Sequence, residues 1–84
     1  MIVAAAIKTP DKVWTLPRPK RHDDIIRAMV QAGASARRTG ACQGFVNSEG
    51  EFLTRGLAAQ EAFICGQLPG KAKAPPILMT EDLW

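Results

Sequence analysis

The sequence predicts an α+β fold: a small antiparallel β-sheet made of two hairpins, with a short strand near the C-terminus as a further member, and two α-helices packed on one face. Two pairs of short apolar runs lead there, each pair separated by a turn sequence. Each pair is followed by a segment whose apolar residues recur at helical spacing. At 84 residues the chain is expected to be one domain, residues 1–84. A chain of that size buries only roughly 60% of its unfolded surface, so its own core is small.

Ile2-Val3-Ala4-Ala5-Ala6-Ile7 reads as a buried strand whose alanines leave room for close packing. Thr9-Pro10-Asp11-Lys12 is a turn, and Val13-Trp14-Thr15-Leu16 alternates as the second strand of a hairpin. Pro17 to His22, with prolines at 17 and 19, reads as a stiff, extended, basic connector. A helix then starts at His22 or Asp23, with Ile25, Ile26, Met29, Val30 and Ala32 on its apolar stripe. Asp23 and Asp24 favour its N-terminal end, and Gly33 stops it.

Ala34 to Ala41 is a small-residue loop carrying Arg37 and Arg38. Phe45-Val46 and Phe52-Leu53 flank Asn47-Ser48-Glu49-Gly50, whose Asn and Gly suit a type I turn, so a second hairpin is expected. Thr54 stands at a helix N-cap and Arg55 at the first helical position. Ala58, Ala59, Ala62, Phe63 and Cys65 mark the buried side of that helix, and Gly66 its end; Leu57 and Ile64 fall outside the stripe as candidates for a subunit contact. Ile77-Leu78-Met79 suggests a last strand, and the ending Leu83-Trp84 is expected to pack down.

Charge is unevenly spread. The net charge is +3, but residues 1–38 carry +5 and residues 39–84 carry −2. A basic half suggests an anionic partner, and a solvated charged face produces the same count. Cys42 and Cys65 lack the spacing and companions of a metal or redox motif; they read as small buried hydrophobes, with a disulfide left open. No segment is long enough to span a membrane, and Met1 leads into an apolar run without a basic flank, so no signal peptide and a cytoplasmic location are expected.

The inventory for catalysis is thin: one histidine, no tyrosine, and Ser35 and Ser48 in loops. A metal site or a nucleophile–base pair would have to rely on His22 as its only imidazole, so no enzyme activity, metal or cofactor is expected. Anion recognition is better supplied. Helix N-termini present unpaired N–H groups, and arginine adds a planar donor fork suited to phosphate. Arg21-His22 and Thr54-Arg55 make two such ends. A cation there costs about 0.3–1 kcal/mol against the helix dipole, which suggests a compensating anion. The alternative is that both arginines are surface residues, or pair with Glu49, Glu51 or the acidic tail.

The set Ala-Ala-Ile-Lys, Arg21-His22-x-Asp24-Ile25-Ile26, Gln43-Gly44-Phe45-Val46, Gly50-Glu51-Phe52-Leu53-Thr54-Arg55, Gly66-Gln67 and Glu81-Asp82-Leu83-Trp84 resembles the first-described Thoeris anti-defence family of small phage proteins. The resemblance implies a non-enzymatic sponge that sequesters a cyclic ADP-ribose-type immune signal, with some relatives holding cyclic di- or trinucleotides. It implies a homodimer, often assembled into hexamers, with pockets at subunit interfaces, inside the infected host. It places Arg21 and Arg55 in the pocket from different subunits and an aromatic under the base, for which Phe45 is the candidate, with Phe52 and Trp14 also near in sequence. From the residues themselves, His22 and Thr54 stand beside the arginines as further ligand contacts. Two departures stand out: Gly56-Leu57 replace the acids that relatives carry after the second arginine, and the chain is short between Gly33 and Gln43, where Arg37 and Arg38 are candidate substitutes. A competing expectation is a basic nucleic-acid or nucleoprotein binder using Arg18, Lys20, Arg21, Arg37 and Arg38.

Overall fold

The sheet assembles around β1 (Ile2–Lys8), whose residues are buried on both faces from Ala4 to Ile7. The computed structural model describes residues 1–33 and 42–84; the predicted loop 34–41, with Arg37 and Arg38, lies outside the described residues. On one side β1 pairs antiparallel with β2 (Val13–Thr15), across a turn closed by the Thr9 N–H donating to the Lys12 carbonyl at 2.9 Å. On the other it pairs antiparallel with β3 (Cys42–Asn47), which in turn pairs with β4 (Phe52–Thr54). The strand order is β2-β1-β3-β4. The second hairpin turns as its residues suggest. The Gly50 N–H donates to the Asn47 carbonyl at 3.0 Å, and Asn47 Oδ1 accepts from the Glu49 and Glu51 N–H groups.

Register decides which residues share a face. Ala5 lies opposite Phe45, Phe45 opposite Leu53, and Ile7 opposite both Trp14 and Gln43. That face carries the core, and both helices cover it. α1 (His22–Gln31) contributes Ile25 and Met29, and α2 (Arg55–Ile64) contributes Ala58, Ala59 and Ala62, all at most 1% exposed. Alanine at these three positions lets α2 lie close to the sheet. The other face closes with its own side chains: the Phe52 ring lies across Gly44, where a Cβ would meet the ring and the Leu53 carbonyl.

Several expectations need correction. Pro17 to His22 is not extended; the Lys20 N–H donates to the Pro17 carbonyl at 3.1 Å and folds the connector into a turn. Ile77–Met79 is not a strand. The Leu78 N–H donates to the Arg55 carbonyl at 3.0 Å, which anchors the segment to the start of α2 instead of a sheet edge, and a 3₁₀ turn follows at Thr80–Asp82. Cys42 and Cys65 are both exposed and both free thiols, because each stands at the end of its element, beyond the covered part of the core. Val30 is also 65% exposed, so the stripe of α1 is narrower than its sequence suggests. Leu83 and Trp84 do pack down against the core. Among the described residues no helix is long and apolar enough to cross a membrane.

The fit of α2 against the sheet is testable. Ala59→Leu forces a larger side chain into a site with no exposed surface, and should lower stability by about 1–3 kcal/mol in urea unfolding. An unchanged midpoint would mean that space exists beneath the helix.

Candidate functional site

The two hairpin-to-helix junctions converge. Arg21 is the N-cap of α1 and His22 its first residue, while Thr54 is the N-cap of α2 and Arg55 its first residue. Arg21, His22 and Arg55 line one cleft of about 200 Å³, completed by Asp23, Gln43, Met79, Thr80 and Glu81. Both arginines therefore reach a common cleft from a single chain.

The two helix starts differ in charge. At α1, the Arg21 N–H donates to Asp24 Oδ2 at 2.9 Å, and this bond holds the Asp24 carboxyl below its usual range. The anion that the α1 dipole favours is already present. At α2 the first turn has no acid, and only Thr54 Oγ1 accepts from the Leu57 N–H, at 3.4 Å. The positive end of α2 and the Arg55 charge stand together.

Among the described residues, every acceptor around Arg55 is neutral. Nη1 donates to the Leu78 carbonyl at 2.9 Å and lies 3.6 Å from Met79 Sδ. Nη2 donates to Gln43 Oε1 at 2.7 Å and faces His22 Nδ1 at 3.4 Å. Below it lies the Phe45 ring, 5.9 Å from the guanidinium carbon. Among the described residues, no carboxylate comes within 4.0 Å of Arg55. Pairing with Glu49, Glu51 or the tail, the alternative open at the sequence level, does not occur for this arginine. It does occur for Arg21, which meets Glu81 at 3.5 Å and also donates to the Trp84 carbonyl.

His22 is oriented, not free. It is 7% exposed and its Nε2 donates to the Gly44 carbonyl at 2.7 Å, which leaves Nδ1 as the lone pair facing Arg55. Burial, and after it the Arg55 charge, lowers its pKa, opposed by the bond to Gly44. Its ring meets Phe45 edge-on at 5.2 Å.

Thr54 caps α2 and does not line the cleft. Phe45 is fully buried, wedged between the edges of His22 and Trp84, so it forms the floor under Arg55 and offers no face for a base to stack on. Residue reading passed over Gln43, Thr80 and Glu81. For Gln43 a signal was present: in strand alternation it shares the core face with Phe45, an unusual place for a polar side chain. For Thr80 and Glu81 there was none, because only the return of residues 78–84 across the helix starts brings them here.

Fold and cleft together define a small α+β protein with an arginine-lined groove where two helices begin. A model of the phage T4 y16D protein family matches residues 1–84, and the chain belongs to that family of phage proteins. No curated protein and no solved structure matches the chain.

The neutral His22 gives a pH dependence whose sign follows from its lowered pKa. As pH falls below about 6.5, the unfolded chain takes up the imidazole proton before the folded one does. Stability is thus full above that pH and declines as pH falls towards the folded-state value. Urea midpoints should drop from pH 7.5 to pH 5.5 in the parent chain, and this part of the slope should vanish in His22→Gln.

Proposed function

We propose that the chain is a non-enzymatic sponge that sequesters a cyclic, phosphate-bearing nucleotide of the cyclic ADP-ribose type during phage infection. The observation that carries this reading is Arg55. Its guanidinium faces a cleft at a helix N-terminus, aligned by four neutral partners and unmatched by any carboxylate among the described residues. Such an arrangement fixes the direction of the donor fork without spending its charge, which is what a phosphate ligand needs.

His22 supports binding over chemistry. As the chain's one imidazole it is committed to the Gly44 carbonyl and to Arg55, so it holds the guanidinium and is not available as a base. The cleft suits the phosphate portion of a nucleotide. A second copy of the chain would then close over the exposed part, giving a homodimer and, by further assembly, a hexamer. Leu57 and Ile64, 54% and 82% exposed on α2, are the residues offered to such a contact.

The test is calorimetry with cyclic ADP-ribose, followed by mass spectrometry of the nucleotide recovered after heating. The parent chain should bind and return the ligand intact. Arg55→Ala should weaken binding by roughly 10- to 100-fold, the range for a lost hydrogen bond to a charged group. Equal affinity in the variant, or a cleaved product, would refute the reading. Affinity for RNA or DNA that collapses with added salt would instead favour a nucleic-acid binder.

A further inference from the structure

The segment Leu78–Trp84 lies across the helix starts, anchored by buried Leu78 and by the core packing of Leu83 and Trp84, and both cleft arginines bond to it. Arg55 Nη1 donates to the Leu78 carbonyl, and Arg21 meets the Glu81 carboxylate at 3.5 Å and the Trp84 carbonyl. Trp84 is further held by its own Nε1–H on the Lys20 carbonyl at 3.2 Å and by the Arg18 guanidinium, 4.6 Å above its ring.

The bonds on the two arginines differ in kind. Among the described residues Arg55 meets only neutral acceptors, whereas Arg21 Nη1 meets Glu81, the one carboxylate of the segment that lines the cleft, and its Nη2 meets the Trp84 main-chain oxygen. Glu81 is itself steadied by Thr80, whose hydroxyl donates to Glu81 Oε1 at 3.1 Å and whose side chain is buried. A carboxylate pinned on one of two arginines occupies the place of an incoming anionic oxygen.

We propose, resting on the phosphate-site reading above, that Glu81 is a built-in competitor: it keeps Arg21 occupied in the empty protein and is displaced when an anion bridges Arg21 and Arg55. Binding is then coupled to movement of the Glu81 side chain and of Arg21, while Thr80, Leu83 and Trp84 stay packed. The pair is long and exposed on both sides, with side chains 46% and 61% accessible. Such a contact yields readily, so the Glu81 carboxylate acts as a reversible occupant and not as a permanent block.

The probe is inorganic pyrophosphate, which carries the anionic chemistry without a base. Glu81→Gln keeps the shape and the acceptor for Thr80 but removes the charge. Calorimetry should show the variant binding pyrophosphate about two- to fivefold more tightly than the parent, the range set by the worth of an exposed ion pair. In a Trp14→Phe background, where Trp84 is the only tryptophan, pyrophosphate should shift its emission as the Arg21 contact to its carbonyl is lost. Equal affinities with a silent Trp84 would overturn the competitor and leave the phosphate site standing. Weaker binding by Glu81→Gln would make Glu81 part of the holding wall and also overturn it. Failure of both proteins to bind would remove the site and the competitor together.

Discussion

The hydrogen bond from His22 Nε2 to the Gly44 carbonyl is the tie on which the cleft depends. It joins the first residue of α1 to the middle of β3, so the start of one helix is referenced to the sheet that positions the other. It also selects the tautomer, and with it the lone pair that faces Arg55. Gly44 is suited to this place because its other side is taken by the Phe52 ring and the Leu53 carbonyl. A side chain there would push on backbone, and the carbonyl that orients His22 would move with it.

From that tie the electrostatics follow. Two arginines and a neutral imidazole share one small cleft, an arrangement that is stable only if each charge is handled separately. At Arg21 it is balanced locally, by Asp24 on its backbone and Glu81 at its side chain. At Arg55 it is only solvated by protein dipoles: a carbonyl, an amide oxygen, a thioether and a ring nitrogen. The fully buried Phe45 beneath gives the guanidinium a polarisable floor without neutralising it. The two arginines thus differ in kind: Arg21 has a carboxylate beside it, and the donors of Arg55 are held by neutral acceptors.

Much of this was legible in the residues. The two hairpins, the Asn47–Gly50 turn, the Thr54 cap and both helix starts are local events, each decided by a few neighbouring side chains. Arg21, His22 and Arg55 were found because a cation at a helix N-terminus is a local contradiction that invites an explanation. Phe45 was misread as a stacking surface because nothing near it in sequence shows that Trp84, 39 positions later, closes over its edge. Ile77–Met79 was misread as a strand for a related reason. An apolar triplet signals burial, and Leu78 is indeed buried, but its backbone partner is the start of α2 and not another strand.

By itself, then, the sequence determined the two hairpins, the two helices, their order and the placement of one arginine at each helix start, because capping, turn geometry and apolar spacing act over a few residues. The tertiary structure alone decided that both arginines open into one cleft of one chain, since that depends on strand order β2-β1-β3-β4 and on the first residues of α1 and α2 meeting at that cleft. It alone decided which arginine has a counter-charge. Glu81 is 60 residues from Arg21 along the chain, and no local rule could have chosen Arg21 over Arg55 as its partner. The choice was made where the backbone of Leu78 locks onto Arg55 and leaves the next acidic side chain within reach of Arg21.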